Sequence, residues 1–187
     1  MRIINAVIRR IFAIIRLSFI KMFNFNSIKF KIEELISVST HFELRGGKLE
    51  LGKKVCTKMN CSFAVYGDSK LVVGDGCFFN NNCMIACHDY IRIGEGTSFG
   101  PACIVYDHDH DFRTVGGKKS NKYKMAPIII GKNVWIGANC TILKGVEIGD
   151  NTVIAAGTVI TKSIPKNAIV YQKKSTIIKN YIPNLGG

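Results

Sequence analysis

From Leu51 onward a mostly aliphatic or aromatic residue returns every six positions, and few folds can use that spacing. The lead positions are Leu51, Thr57 and Phe63; Val73, Phe79 and Ile85; Ile93, Phe99 and Val105; Ile130, Ile136 and Ile142; and Ile148, Ile154 and Ile160. A helix repeats near 3.6 residues and a strand at 2, so a period of six means a short flat strand followed by a corner. Three such units close one triangular coil. A lone coil cannot bury its inner face, whereas stacked coils share one continuous core. The expected fold is therefore all-β, a parallel β-helix of about five coils. A small residue often follows the lead (Gly52, Gly74, Gly94, Gly100, Gly131, Gly137, Gly149, Ala155), which suggests that the bend falls there. The fifth place is small or β-branched, and it absorbs Cys61, Cys77, Cys83, Cys103 and Cys140, five of the seven cysteines. With an odd count and no CxxC or Cys/His spacing, these read as buried free thiols in a reducing compartment, with no disulfide framework and no structural metal.

The six-fold count breaks only between triples, after Phe63, Ile85 and Val105, so every insertion leaves the prism at one corner. The longest, residues 111–129, carries Arg113, Lys118, Lys119, Lys122 and Lys124 around a Gly116-Gly117 pair. Long excursions from a regular repeat are usually functional, and this one reads as a flap facing a substrate. With 187 residues, 47% of them hydrophobic, the chain supports one domain and an appendage. The expected division is 1–23 as a basic helix, 24–50 as lead-in strands, 51–164 as the β-helix and 165–187 as a tail.

Residues 1–23 are rich in Ile, Val, Phe and Leu, contain Arg2, Arg9, Arg10, Arg16 and Lys21, and have no acid. A bilayer span needs about 20 mostly apolar residues, and the arginines interrupt every such window. A secretory signal would need an unbroken apolar region and a small-residue cleavage site. Two readings stay open: an amphipathic helix lying on an anionic membrane surface, or one packed on the body or a partner subunit. The formal net charge of +13 favours anionic partners in general. No nucleic-acid-binding signature accompanies it.

The run Ile130-Gly-Lys-Asn-Val-Trp135-Ile-Gly-Ala-Asn-Cys-Thr-Ile142 and its continuation to Ile154 resemble the hexapeptide-repeat acyltransferases. Within that superfamily the chain is similar to the sugar O-acetyltransferases typified by galactoside and maltose acetyltransferases. The likeness covers roughly Gly74 to Lys162, without gaps as far as His110. It implies a left-handed coil, a hand the period does not set. It also implies acetyl-CoA as co-substrate, a sugar or polysaccharide acceptor, and a homotrimer with active sites between subunits. The family's catalytic His falls on His110, sixth in the hexad Val105-Tyr-Asp-His-Asp-His110, and its acceptor-site Asn and Asp fall on Asn80 and Asp89. The pantetheine arm of CoA is expected near Trp135, Gly137, Ala138 and Ala156, with phosphates near Lys162 and Lys179. The tail departs from the family, with Gln172-Lys173-Lys174 in place of a Gly-x-Pro run and Thr176 where an Arg is common.

A sugar hydroxyl needs a base to become a nucleophile near neutral pH, and imidazole suits that task. His110 is the candidate. Hexad counting puts Asp89 and His110 near one corner on neighbouring coils, and Asp89 stands where the repeat wants a small residue, a costly placement for an idle carboxylate. Asp89 or Asp109 would orient an imidazole; Tyr123 joins the acceptor-binding candidates. His108 either supports His110 or is a polar edge residue, and His41 and His88 read as structural. Without a recognisable Cys or Ser nucleophile motif, direct attack is expected rather than an acyl-enzyme. The working expectation is a cytoplasmic enzyme, peripheral at the inner face of the cell membrane, acetylating a surface polysaccharide or its lipid-linked precursor. Two alternatives are acetylation of a free galactoside, serine or antibiotic, and a metal-dependent or non-catalytic β-helix.

Overall fold

A computed structural model describes residues 2–23, 27–31 and 33–173. The six-residue units become the sides of a triangular prism with three parallel faces of six strands each. The first face runs from Ile28–Lys29 through Lys48–Leu51, Lys70–Val73, Tyr90–Ile93 and Ile128–Ile130 to Glu147–Ile148. The second face takes Cys56–Thr57, Phe78–Phe79, Ser98–Phe99, Trp135–Ile136, Val153–Ile154 and Ile169–Val170. The third takes His41–Arg45, Ser62–Tyr66, Met84–Cys87, Ile104–Tyr106, Thr141–Ile142 and Val159–Ile160. Register follows the hexads: Phe79 pairs with Phe99, Phe99 with Ile136, and Ile136 with Ile154.

Lead residues point inward, as the period requires, and Phe63, Phe79 and Phe99 are fully buried. Their rings stack up the axis, Phe79 on Phe99 at 4.8 Å and Phe63 edge-on to Phe79 at 5.1 Å. The fifth-place cysteines are buried as expected. Cys61, Cys83, Cys103 and Cys140 form one column, each thiol donating to a carbonyl of the next rung: Asn80, Gly100, Gly137 and Ala155 respectively. Burial pushes the Cys77 and Cys87 thiols up to about 12.

The bend, however, is not at the second residue. It is the fourth that enters the left-handed region, as at Asn60 (φ 57°) and Asn139 (φ 57°), and Asn is the residue that tolerates it best after Gly. The second-place glycines answer a different constraint, the close approach of rungs. A Cβ on Gly74 would lie 2.6 Å from the Glu95 nitrogen, and one on Gly137 2.6 Å from that of Ala156.

Two further features follow from the lead-in and the helix. Residues 28–45 lack the hexad period, yet the described residues 28–31 and 33–45 contribute a rung: Ile28 pairs with Leu49, Leu35 bridges Cys56, and Phe42 pairs with Phe63. The helix Arg2–Phe23 lies on this first rung, burying Ala13 and Leu17 in the same core as Ile28 and Ile36. It covers the end of the stack, where strand edges would otherwise be open. Arg16, one of the charges that interrupt the apolar run, turns toward the first rung. Its guanidinium donates to the carbonyls of Ser37 (3.1 Å) and Thr40 and lies 5.8 Å over the Phe42 ring. Among the described residues, no helix is long and apolar enough to cross a membrane.

Candidate active site

All three insertions leave between the third face and the first, as the broken count implied. Tyr66, His88 and His108 therefore stand on successive rungs at one corner. The long excursion is an antiparallel hairpin of His108–His110 and Tyr123–Met125, closed at its tip by a short helical turn at Gly117–Ser120. It folds its aromatic side back over the corner. The result is an open groove of about 600 Å³ lined by Glu43, Tyr66, His88, Tyr106, His108, His110 and Tyr123 among others.

Three imidazoles meet in that groove. The His88 and His108 rings are 3.9 Å apart, and Tyr123 lies 4.5 Å from His88 and 4.8 Å from His110. On the other side Tyr66 packs against His88 at 4.6 Å and donates to Glu43 at 2.9 Å. His88, read from sequence as structural, is thus part of the groove. Burial pushes its imidazole below the ordinary value, with the nearby His108 acting the same way and Asp107 opposing.

The residue that organises this corner is Asp107, which sequence reasoning passed over. It is fully buried, and it accepts hydrogen bonds from the backbone N–H of His88 (2.8 Å) and of Asp89 (2.8 Å) and shares one with His108 Nδ1 at 3.2 Å. Burial alone would raise this carboxyl, but the bonds from His108, His88 and Asp89 outweigh it and hold it below the usual carboxylate range. A signal existed: two residues past the lead, the third face points inward again, at Val65, Cys87 and Asp107. A carboxylate in that apolar column marks itself. The same logic applied to Asp89 misfires, because the chain has already left the repeat there. Asp89 is exposed and lines a neighbouring recess with Tyr66, His88 and Met125, not the groove that holds His110. Nor does Asp109 orient an imidazole; it pairs with Lys144.

His110, His108 and Tyr123 come together as expected, but the two histidines differ. His108 has its Nδ1 engaged by Asp107, while His110 Nδ1 is buried with no hydrogen-bond partner among the described residues. Asn80 lies at the opposite edge of the third face, where its Oδ1 accepts from the Asn81 N–H at 2.8 Å and its side chain borders a recess shared with Phe12 and Lys58. Gly137, Ala138 and Ala156 continue along that same edge on later rungs, with Trp135 on the adjoining face, 62% exposed. Lys162 is exposed at the opposite corner, where the chain leaves Val159–Ile160 for the first face, and Lys179 and Thr176 fall outside the described residues. Among the described residues, no three His, Cys, Asp or Glu side chains are arranged to hold a metal ion.

A prism of stacked hexads with an aromatic, histidine-rich groove where its hairpin leaves defines a parallel β-helix with a candidate active site at one corner. Residues 127–162 match the family model described as the hexapeptide repeat of succinyl-transferase. Nodulation protein L of Rhizobium meliloti is 35% identical over 136 residues, 70% of this chain and 69% of that protein. A galactoside O-acetyltransferase of Lactococcus lactis is 32% identical over 135 residues, 66% of this chain and 63% of its own length. A putative acetyltransferase of Saccharomyces cerevisiae is matched over 57% of its length. Among solved structures, a hexapeptide-repeat acetyltransferase from Vibrio cholerae, complexed with acetyl coenzyme A, aligns with a TM-score of 0.55 at 29% identity over 63% of each chain. The N-acyltransferase AntD of Bacillus cereus, at 19% identity and a TM-score of 0.66 over 80% of each chain, shares the fold. This chain belongs to the hexapeptide-repeat acetyltransferase family.

Proposed function

We propose that the chain transfers the acetyl group of acetyl-CoA to a hydroxyl of a sugar acceptor, with His110 as general base. The observation that carries this is the His110 imidazole at the groove wall with a buried, unpartnered Nδ1. A buried polar atom without a partner costs free energy, and a ligand or a neighbouring copy is the natural completion. In the transfer, the acceptor oxygen attacks the thioester carbonyl while His110 takes its proton. A backbone N–H near the corner stabilises the oxyanion, and the collapsing intermediate expels the CoA thiolate, which regains the proton from the imidazolium. Direct attack fits the thiols, since six of the seven cysteines are buried.

Tyr66, Tyr106 and Tyr123 offer flat apolar walls of the kind sugar rings pack against. Trp135, Gly137, Ala138 and Ala156 would take the CoA arm along the other edge of the third face, and Lys162, at the corner that follows Val159–Ile160, would meet phosphates. Asn80, Asp89 and the CoA candidates do not share the His110 groove within one chain, and an active site built between copies of a homotrimer accounts for that separation. The acceptor favoured is a surface polysaccharide or its lipid-linked precursor, with the enzyme peripheral at the inner face of the membrane; the relatives named for galactoside acetylation support a sugar. A free small molecule is the alternative acceptor.

Thiol release from acetyl-CoA, measured across galactosides and polysaccharide repeat units, tests the reading. His110→Ala should lower turnover by about a hundred- to ten-thousand-fold, and His108→Ala by less than about ten-fold. A second reading is favoured by one contact, the Asp107–His108 hydrogen bond, which would hold His108 as the base. The reverse order of losses would establish it.

A further inference from the structure

The N-terminal helix has two apolar faces, and the prism covers only one. Ala13 and Leu17 point into the first rung. On the other side, Val7, Ile8, Ile11, Phe12, Ile15 and Met22 form a continuous stripe, each 44–66% exposed. A helix packed on a body normally turns polar residues outward, and isolated exposed apolar residues need no explanation, but a stripe six deep does. The stripe does not stop at the helix. Phe12 borders an apolar recess of about 690 Å³ with Val38 and Met59, which are themselves 71% and 59% exposed.

Charge identifies the occupant. Arg10, Lys21 and Lys58 are exposed beside this surface, and residues 2–23 contain no acid. Of the acids in the first rung, Glu34 is buried, Glu33 faces Lys54 at 3.9 Å, and Glu43 lines the His110 groove, paired with Arg45 at 2.7 Å. A second copy of this surface would bring like charges together, whereas an anionic bilayer supplies both an apolar layer and neutralising headgroups. We propose that the outward stripe of the N-terminal helix, extended by Val38 and Met59, seats the end of the prism in the interface of an anionic lipid bilayer. This deepens the membrane location proposed above and is independent of the acyl-transfer chemistry. Both sequence readings of the helix then hold, one for each face.

The test is co-sedimentation of the full chain with phosphatidylcholine vesicles, with and without phosphatidylglycerol. Wild type should bind the anionic vesicles and bind pure phosphatidylcholine far more weakly. Phe12→Ser with Ile15→Ser should lower partitioning by about a hundred-fold, each side chain contributing a factor of ten or more. Arg10→Gln with Lys58→Gln should lower it about twenty-fold on anionic vesicles only. The thermal midpoint should be unchanged in all. Wild type remaining in the supernatant, or an F12S/I15S variant that binds as wild type does, overturns the proposal. So does a change in oligomeric mass on F12S/I15S without vesicle binding, which would seat a second copy on this face. Loss of acetyl transfer with vesicle binding intact would instead count against the chemistry alone.

Discussion

Asp107→Asn separates the two roles a buried carboxylate can play beside a pair of imidazoles. In the wild type, Oδ1 accepts from the His88 N–H and meets His108 Nδ1, while Oδ2 accepts from the Asp89 N–H at 2.8 Å. Asparagine has the same shape but only one acceptor atom, so whichever way the amide turns, its NH₂ faces a donor. Leaving a buried donor unsatisfied costs about 1–3 kcal/mol, and bonds to a charged acceptor are the stronger kind, so the total loss is about 2–4 kcal/mol. For a chain of this size each kcal/mol moves the midpoint by about 2–4 °C, which gives a fall of roughly 5–15 °C by calorimetry at neutral pH. The pH dependence follows from the direction of the shift. Asp107 sits below its ordinary value of 3.8 in the folded state, so its contribution is complete above that value and disappears as pH drops through the lower folded one. The gap between wild type and variant should therefore narrow below about pH 4. Turnover, measured well below the variant's midpoint, should fall less than about ten-fold if His110 is the base. An unchanged midpoint would refute the account of Asp107, and a loss of about a thousand-fold or more would transfer the base to His108.

Gly74→Ala places a Cβ 2.6 Å from the Glu95 backbone nitrogen, which has no flexible end to move aside, and should cost about 2 kcal/mol or more by denaturant titration; a neutral result would mean the rungs can separate locally. Trp135→Ala should raise KM for acetyl-CoA about ten-fold with kcat little changed, since Trp135 is mostly exposed and its removal leaves the core intact; an effect on kcat alone would remove it from the CoA candidates.

The hexad period carried the prism, its inward leads, its buried thiols and the corner where the hairpin leaves. These are properties of successive residues: alternation and a regular turn decide which side chain points in, and no distant partner is needed. Residues 28–45 had no such period and were legible only as lead-in. Their place as a rung comes from pairing with strands about twenty residues on, as Phe42 does with Phe63. Asp107, His88 and Arg16 share that dependence. Each is polar, each looked ordinary in its local sequence, and each takes its role from groups on another rung or element: the N–H pair of His88 and Asp89, the His108 ring, and the carbonyls of Ser37 and Thr40. Sequence determined the periodic scaffold because periodicity is local. Tertiary structure alone decided which polar groups meet across its rungs, because that depends on how far each insertion carries the chain before it rejoins the stack.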